Sequence, residues 1–504
     1  MRAYALALLT STAVLFPLTS SAQSVNDEGA RALEAQVPAL MDTFLQSAPE
    51  VRYTFQGDVQ AVPSGDSYSL SIPPIDFDFA GEAETTLSAF PVEVTPLENG
   101  WNRAEWDFPN SITVTNPRRA SQQANITFSS EGNSMTVAPE YGMALQADYG
   151  FDDIRVTVSE GTGSLSIDDL QITVDSEQSG DGSDSYNSDT QLSVADVLVD
   201  VPDEDVRIEL ASLSMGGTSQ RQRLDLFAIL QETLSGLDPE SEAFALAYID
   251  VLRATADEKW IGAANFQSAL EGLDVLAEGT GATVGLIEVA LDAEGLDEAQ
   301  AQLGLAMTAQ DIASPELPAM FADVIPTFAN LDLQAVDIPI QDLSQEAYGM
   351  LGEAPSDEDL FGPKGRRAGV GNPFANLQDV DPMVFLGLIL NSDVQLLLQN
   401  VLVEAPIGYI AAQGVVDPDP QAAFQAVANI ELDIAGLPEM IAFAQSMGGD
   451  AAQAAGLASA LSAMGRDGTD EEGVAIKEFD LEVTSAGQVL LNGNDMSAMM
   501  GMFQ

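Results

Sequence analysis

The chain is 504 residues long, with a formal net charge of −62, 46% hydrophobic residues and neither cysteine nor histidine. Those absences exclude disulfides, thiolate metal sites, thiol nucleophiles, imidazole bases and a Ser-His-Asp triad, so any catalysis falls to carboxylates, Lys, Tyr, Ser or Thr. With Lys259, Lys364 and Lys477 as the only lysines, the charge repels nucleic acid and anionic headgroups, while the hydrophobic content is that of a globular chain rather than a disordered one.

Residues 1–22 read as a cleavable secretory signal. Arg2 is a minimal basic start, Ala3 to Phe16 is nearly all apolar, Pro17 ends the run, and Ser20-Ser21-Ala22 offers small residues for cleavage. The run is shorter than the ~20 residues a membrane-spanning helix needs. Lipid attachment at the cleavage site would need a cysteine. The best later span, Met383 to Val403, contains Asn391, Ser392, Asp393, Gln395 and Gln399. An Asp near the bilayer centre alone costs roughly 2.5–3.5 kcal/mol, so this segment reads as a buried helix followed by a strand. The expectation is a soluble periplasmic protein that does not span the membrane once its signal is removed.

A short helical stretch, Asn26 to Gln46, opens a β-rich region over 23–222. Period-two alternation is clear in Ile75, Phe77, Phe79, in Val92, Val94, in Ile112, Val114 and in Val156, Val158. It recurs in Leu170, Ile172, Val174, in Val197, Val199, Val201 and in Val206, Ile208, Leu210, as in an antiparallel sheet with one buried face. Gln178 to Asp189 lacks apolar periodicity and reads as a mobile loop. Over 223–351 helix and strand patterns mix. Leu224, Phe227, Leu230 and Leu234 mark one helix, and Phe244, Ala247, Tyr248 and Val251 a second. Strands follow at Ala282–Ala290 and Gln302–Thr308, then a helix near Pro315–Phe328, then the alternation of Leu331, Leu333 and Val336, Ile338, Ile340.

The segment 352–381 is a Gly/Pro/Asp-rich loop holding the one dense basic cluster, Lys364, Arg366 and Arg367. The last region, 382–504, mixes again. It opens with a helix at Pro382–Leu390 and strands at Val394–Val403 and Ile407–Val416. Phe424 begins a helix, the strand of Ile430, Leu432, Ile434 and a helix at Pro438–Met447. A small-residue helix, Ala451–Met464, precedes a hairpin of Phe479, Leu481, Val483 with Val489 to Leu491. Asn330-Leu-Asp-Leu and Asn429-Ile-Glu-Leu echo each other, which fits a sheet extended by similar units.

Five motifs bear on chemistry. Asp175, Glu177, Ser179, Gly180, Asp181 and Ser183 follow the early positions of a calcium loop, but Tyr186 stands where a bidentate Glu belongs, so a solvated acidic loop is expected and no metal site. The pairs Asp76/Asp78, Asp152/Asp153 and Asp168/Asp169 are too common among 79 acids to mark a glycosidase, so no catalytic residue is assigned. Trp101, Trp106 and Tyr141 suit core or cross-strand packing better than sugar stacking. Asn125-Ile126-Thr127 is a chance glycosylation triplet, and Met496, Met499, Met500 and Met502 suit a short helix docked on the core.

Three phrases together resemble the bacterial domain-of-unknown-function family 2125, found in exported alphaproteobacterial proteins. They are Tyr53-Thr54-Phe55-Gln56-Gly57-Asp58-Val59, the unit from Asn429 to Met440, and Gly487 to Ala498 with Gly493 at a tight turn. More loosely, Leu396–Val416, with Pro406 and Gly408 at a reversal, is similar to AsmA-like and YdgA-like envelope proteins. That resemblance implies a long curved sheet with an apolar groove, and it brings no catalytic residues. The expected fold is therefore α+β and β-rich, a long curved antiparallel sheet partly covered by helices. The expected function is non-enzymatic binding of an apolar small molecule, a lipid or an envelope protein, without cofactor and without nucleic acid. A carboxylate-based hydrolase acting on envelope glycan is the alternative, and a calcium-dependent acidic adhesin a third possibility.

Overall fold

The computed structural model describes residues 25–45, 51–138, 141, 143–159, 163–180, 185–234, 247–248, 251, 258–277, 279–314, 318, 321–343 and 392–496. The expected signal, the basic loop, the helix at 382–390 and Met499, Met500 and Met502 lie outside them. Strands account for 61% and helices for 15%, so the frame is a sheet to which helices are added; it is antiparallel and does not close. The chain divides into two compact units. The first comprises Met1–Ile261, Asp274–Gly279 and Pro355–Pro373, and the second Gly262–Leu273, Thr280–Ala354 and Phe374–Gln504.

The first unit opens with α1 (Asp27–Leu45). Asn26 caps it, its Oδ1 accepting from the Glu28 and Gly29 amides at 2.9 Å. Ala30, Leu33, Val37 and Met41 recur at helical spacing and are buried. The strands follow: β1 (Val51–Phe55), β2 (Gln60–Ser64), β3 (Ser67–Ile72), β4 (Ile75–Phe79), β5 (Ala83–Leu87), β6 (Phe90–Pro96) and β7 (Asn102–Trp106). Then come β8 (Ser111–Asn116), β9 (Arg119–Ser129), β10 (Asn133–Ala138), β11 (Met143–Val158), β12 (Ser164–Gln178), β13 (Ser185–Val201) and β14 (Val206–Arg223), ending in α2 (Leu224–Leu234).

The sheet of this unit forks on one edge of β11. The arm β2-β3-β6-β7-β10 pairs with its first half, where Ser134 faces Asp148 and Ala138 faces Met143. The arm β1-β4-β5-β8-β9 pairs with its second half, where Val156 faces Ile126. The fork lies where the β11–β9 register shifts between Asp152 and Arg155, with Asp153 at φ 52°. Aromatic rings join the arms through the interior: Trp106 to Phe108 at 6.0 Å, Phe108 to Phe151 at 5.8 Å and Phe151 to Phe128 at 5.6 Å. Tyr68, Leu70, Ile75, Leu87, Ile126 and Ile154 are essentially sealed from solvent, each worth roughly 1.5–3 kcal/mol of burial. The other edge of β11 continues through β12, β13 and β14.

One expectation fails here. Gln178 and Ser185–Asp189 belong to strands rather than to a mobile loop, because β12 runs to Gln178 and β13 starts at Ser185, with Gln178 facing Tyr186 and Ser176 facing Ser188; residues 181–184 lie outside the described residues. Hydroxyl pairs Ser176–Ser188 and Ser179–Ser185 bridge the strands, and Tyr186 is buried against Leu145, Leu224 and Tyr141. Cross-strand hydrogen bonding carries the ladder where apolar periodicity is missing.

The second unit contains β16 (Thr280–Glu294), β17 (Ala301–Gln310), β18 (Phe328–Ile338), β19 (Gln395–Ala405), β20 (Gly408–Pro418) and β21 (Ala426–Ala435). The first part of β15 (Ala263–Ala277) precedes them. After β21 come α3 (Leu437–Met447), α4 (Gly449–Ser462), β22 (Arg466–Thr469), β23 (Ala475–Val483), β24 (Val489–Leu491) and β25 (Asn494–Asp495). The order is β16-β17-β18-β19-β20-β21-β23, with β22 and β24 on the far side of β23.

Two glycines are required by backbone geometry. A Cβ on Gly408 would lie 2.2 Å from the Ala435 carbonyl oxygen, and Asn492-Gly493, at φ 49° and 77°, make the β24–β25 turn. The chain also departs from expectation at four places. β15 was not expected, no helix precedes β21 at Phe424, Ile340 begins a helical turn instead of continuing β18, and residues 322–327 form turns rather than the end of a helix, the start of that expected helix lying largely outside the described residues. At the last, one tight turn closes when Val324 N–H meets the Phe321 carbonyl at 3.0 Å; Pro326 then bars continuation.

Candidate functional site

Cross-strand register places the residues of the second unit on two chemically opposite faces. Val289 and Leu291 on β16 stand opposite Met307 and Leu305 on β17. Leu305 and Leu303 stand opposite Leu333 and Ala335 on β18, and these opposite Leu398 and Leu396 on β19. Val401 and Val403 oppose Ala412 and Ile410 on β20, which oppose Leu432 and Ile434 on β21. Leu432 and Ile430 oppose Phe479 and Leu481 on β23. Directly opposed residues share a face, so one apolar surface crosses all seven strands.

The face survives an irregularity in β19. Leu333 faces Leu398, but Asp332 faces Asn400, leaving Gln399 as the extra residue of a bulge. The bulge lets Leu398 and Val401, three apart in sequence, share the apolar side. Without it, one half of β19 would turn its leucines to the polar side.

This surface is not fully covered. Leu291 and Leu303 are each 46% exposed and Met307 43%, and Ile287, Leu396, Val403 and Ile410 are exposed as well. A concavity of about 480 Å³ opens there, walled by Phe266, Leu291, Leu303, Leu305, Leu333 and Leu396 with small residues between them. Asp292, between Leu291 and Ala293, stands opposite Gly304 and so belongs to the other face, where Asn265 donates to it.

The opposite face is polar. A chain of amides crosses it, Gln399 donating to Gln334 at 3.1 Å and Gln334 to Gln302 at 3.3 Å. A second concavity, about 680 Å³, is walled by Gln399, Gln413, Asn429, Glu431, Asp480 and Glu482. Glu431 and Asp480 are direct cross-strand neighbours. Gln413 donates to Glu431 at 2.8 Å, and Arg466 pairs with Asp480 at 2.8 Å. Nearby, burial and then the charges of Glu478, Glu431 and Asp480 push the Asp433 carboxyl above its ordinary range. The Tyr409 hydroxyl donates to Asp470 at 2.8 Å; burial and that carboxylate push it up to about 12, and the same bond holds Asp470 low.

The acid pairs, the aromatic residues and the acidic loop singled out from sequence fall elsewhere, in the first unit. Asp76 accepts from Thr86 at 2.6 Å and from Gln56 at 2.9 Å, which hold its carboxyl low, and Asp78 accepts the Gly81 amide at 2.7 Å. They stand on the outer side of a strand whose Ile75, Phe77 and Phe79 are buried. The other two pairs are brought together: Asp152 directly opposes Asp169, whose carboxyl is raised by burial first and by Asp152 second. Asp153 pairs with Arg155 at 3.5 Å.

Trp106 is buried between Phe108 and Tyr149, while Trp101 and Tyr141 pack on the small cluster around Tyr186. Asp175 and Glu177 lie within β12, and Asp181 and Ser183 fall outside the described residues. Asn125 accepts from Thr113 at 3.0 Å on the exposed side of β9. Met496 is buried. Among the described residues, no three acidic groups converge as a metal site would require, and no helix is long and apolar enough to cross a membrane.

The alternation of Leu331 and Leu333, of Leu432 and Ile434, and of Phe479 and Leu481 is visible in the sequence, but nothing there joins these stripes into one face. The stripe signal was available in β17 and β18, where Leu303, Leu305 and Met307 alternate with Gly304 and Ala306, and Leu331 and Leu333 with Asn330, Asp332 and Gln334; in β19 the run Leu396-Leu397-Leu398 obscures it. No family model, curated protein or solved structure matches this chain.

Proposed function

We propose that the protein is a non-enzymatic binding protein of the bacterial envelope, exported by the signal at 1–22, that holds a long-chain lipid on the apolar face of its second unit. The observation that supports this is the exposed leucine-lined concavity of about 480 Å³, a size typical of small-molecule sites. Large apolar side chains left open to water over several strands mark an interaction surface. The proposed kinship with the domain-of-unknown-function family 2125 is compatible with this role. The test is mass spectrometry of an organic extract of the purified chain, together with binding of the neutral dye phenylnaphthylamine. A long-chain compound is expected in the extract, and the Leu305→Ser/Leu333→Ser double variant should lose most of the dye signal. A chain that carries no apolar compound and binds no dye would sink the proposal.

A carboxylate-based hydrolase acting on envelope glycan is the second reading, favoured by Glu431 and Asp480 facing each other in the polar concavity. Directly opposed side chains start from Cβ atoms about 4.5–5.5 Å apart, which lets two carboxyl groups reach the ~5–9.5 Å separation of paired glycosidase acids. Gln413 and Arg466 already engage those two carboxylates, and Trp101, Trp106 and Trp260 all belong to the first unit. Release of reducing ends from peptidoglycan, abolished by Glu431→Gln, is the result this reading requires; no turnover by the native chain removes it.

A further inference from the structure

We infer that the molecule held on this apolar face carries no anionic group and is a neutral long-chain lipid, of the alcohol or acylglycerol class. The inference rests on the binding reading above and asks which apolar molecules the face admits. The sequence of the second unit contains two cations, Arg466 and Lys477, in more than two hundred residues. Both are engaged. Arg466 lies 2.8 Å from Asp480 and 3.8 Å from Glu478, and Lys477 lies 2.5 Å from Asp467.

Position makes the shortage worse. Lys477 stands opposite Ile434 at one end of the apolar face, on β23, whereas the concavity is walled by β15 to β19. Three strand spacings separate β19 from β23, about 14 Å. That exceeds the screening length of ~8 Å at physiological salt. Asp292 stands opposite Gly304, so its carboxylate and the Asn265 amide bound to it lie on the other face of the sheet, and the large side chains walling the concavity are apolar. A carboxylate or phosphate ester seated there would give up hydration and gain no counterion among the described residues of this unit. A buried anion in that position either takes a proton or stays in water. A hydroxyl or ester loses far less on the same transfer, since it carries no net charge.

The experiment uses the full chain, stripped of lipid and loaded with phenylnaphthylamine, titrated at neutral pH with tetradecanol, myristate and tetradecyl phosphate. Tetradecanol should displace the dye at a concentration about tenfold or more below either anion, a preference of at least ~1.4 kcal/mol. Leu303→Lys, which sets a cation at the exposed rim, should bring myristate close to tetradecanol, and Leu303→Gln should not. Equal displacement by myristate and tetradecanol in the native chain overturns the inference and leaves the binding reading standing. Failure of all three ligands overturns both. A Leu303→Lys chain that holds tetradecanol and still refuses myristate overturns the charge explanation.

Discussion

The two units are written in the same alternating pattern and use it differently. In the first, two strand arms and α1 converge on one interior, so that Phe151, Leu70, Ile75 and Leu33 are sealed. In the second, an equally apolar set of side chains is spread over one face of seven strands, and Leu291, Leu303 and Met307 remain open to water. The difference teaches that alternation specifies that a face exists, and not what covers it. Covering depends on a fork such as the one at Asp152–Arg155, which lets one sheet supply both walls of a core.

The sharpest way to break this comparison is to cut one large side chain from each unit. Phe151→Ala removes a ring packed between Phe108 and Phe128, and it should cost about 3–5 kcal/mol. Leu303→Ala removes a side chain already half in water and should cost below ~1 kcal/mol. All three tryptophans belong to the first unit, so urea unfolding followed by tryptophan fluorescence reports that unit and far-UV circular dichroism reports both. Equal losses would mean that the face of the second unit is as tightly packed as the core of the first, and the contrast would collapse.

Much of the first unit was legible in sequence because its strands are short, regular and separated by turn residues. Ile75, Phe77 and Phe79, or Val92 and Val94, declare their buried side without help from neighbours. Legibility falls where a bulge changes the phase. β15 passes from Ala264 and Phe266 to Leu273 and Val275 by way of Gly272 at φ 63°, and its Ala, Leu and Glu content suits a helix as well as a strand. The candidate face was hidden for a related reason. Each strand shows its own alternation, but only the register, including the extra Gln399, shows that seven stripes join on one side. The acid pairs show the opposite failure, since adjacency in sequence placed Asp152 beside Asp153 while folding placed it against Asp169.

A smaller effect sharpens the comparison at the end of the first unit. Arg223 grips Asp225 with two bonds, at 2.8 and 2.7 Å, and reaches Glu258 at 3.3 Å, while its amide donates to the Trp260 carbonyl at 2.9 Å. The Arg223 bond, opposed by burial, holds the Asp225 carboxyl below its ordinary 3.8. A lowered acid contributes stability that is present above 3.8 and is lost as pH falls through the folded value. Arg223→Gln should therefore cost about 1 kcal/mol near neutrality, discounted for partial exposure, and progressively less as the pH drops below 3.8. Trp260, packed on Phe227 at 5.1 Å, is the local fluorophore for that measurement. A deficit that persists undiminished in acid would assign the effect to lost packing of the arginine stem.

The smallest expected effect has the opposite sign. Asp169 faces Asp152 across β11 and β12, and burial together with that neighbour raises its carboxyl above 3.8. A raised acid binds its proton more tightly in the folded chain, so the pair is costless below 3.8 and increasingly destabilising as pH climbs through the folded value. Asp169→Asn should stabilise the first unit at neutral pH by a few tenths of a kcal/mol, about 0.5 at most for so exposed a site, and by nothing at pH ~3. The gain should also shrink in 1 M salt, where the screening length falls to ~3 Å. Thermal melts of both chains at two pH values and two salt concentrations decide it. A gain that followed pH but ignored salt would mean that burial rather than the Asp152 charge governs the site, and a gain that ignored both would assign it to packing of the amide, leaving like charges on this face as harmless as their solvated surroundings.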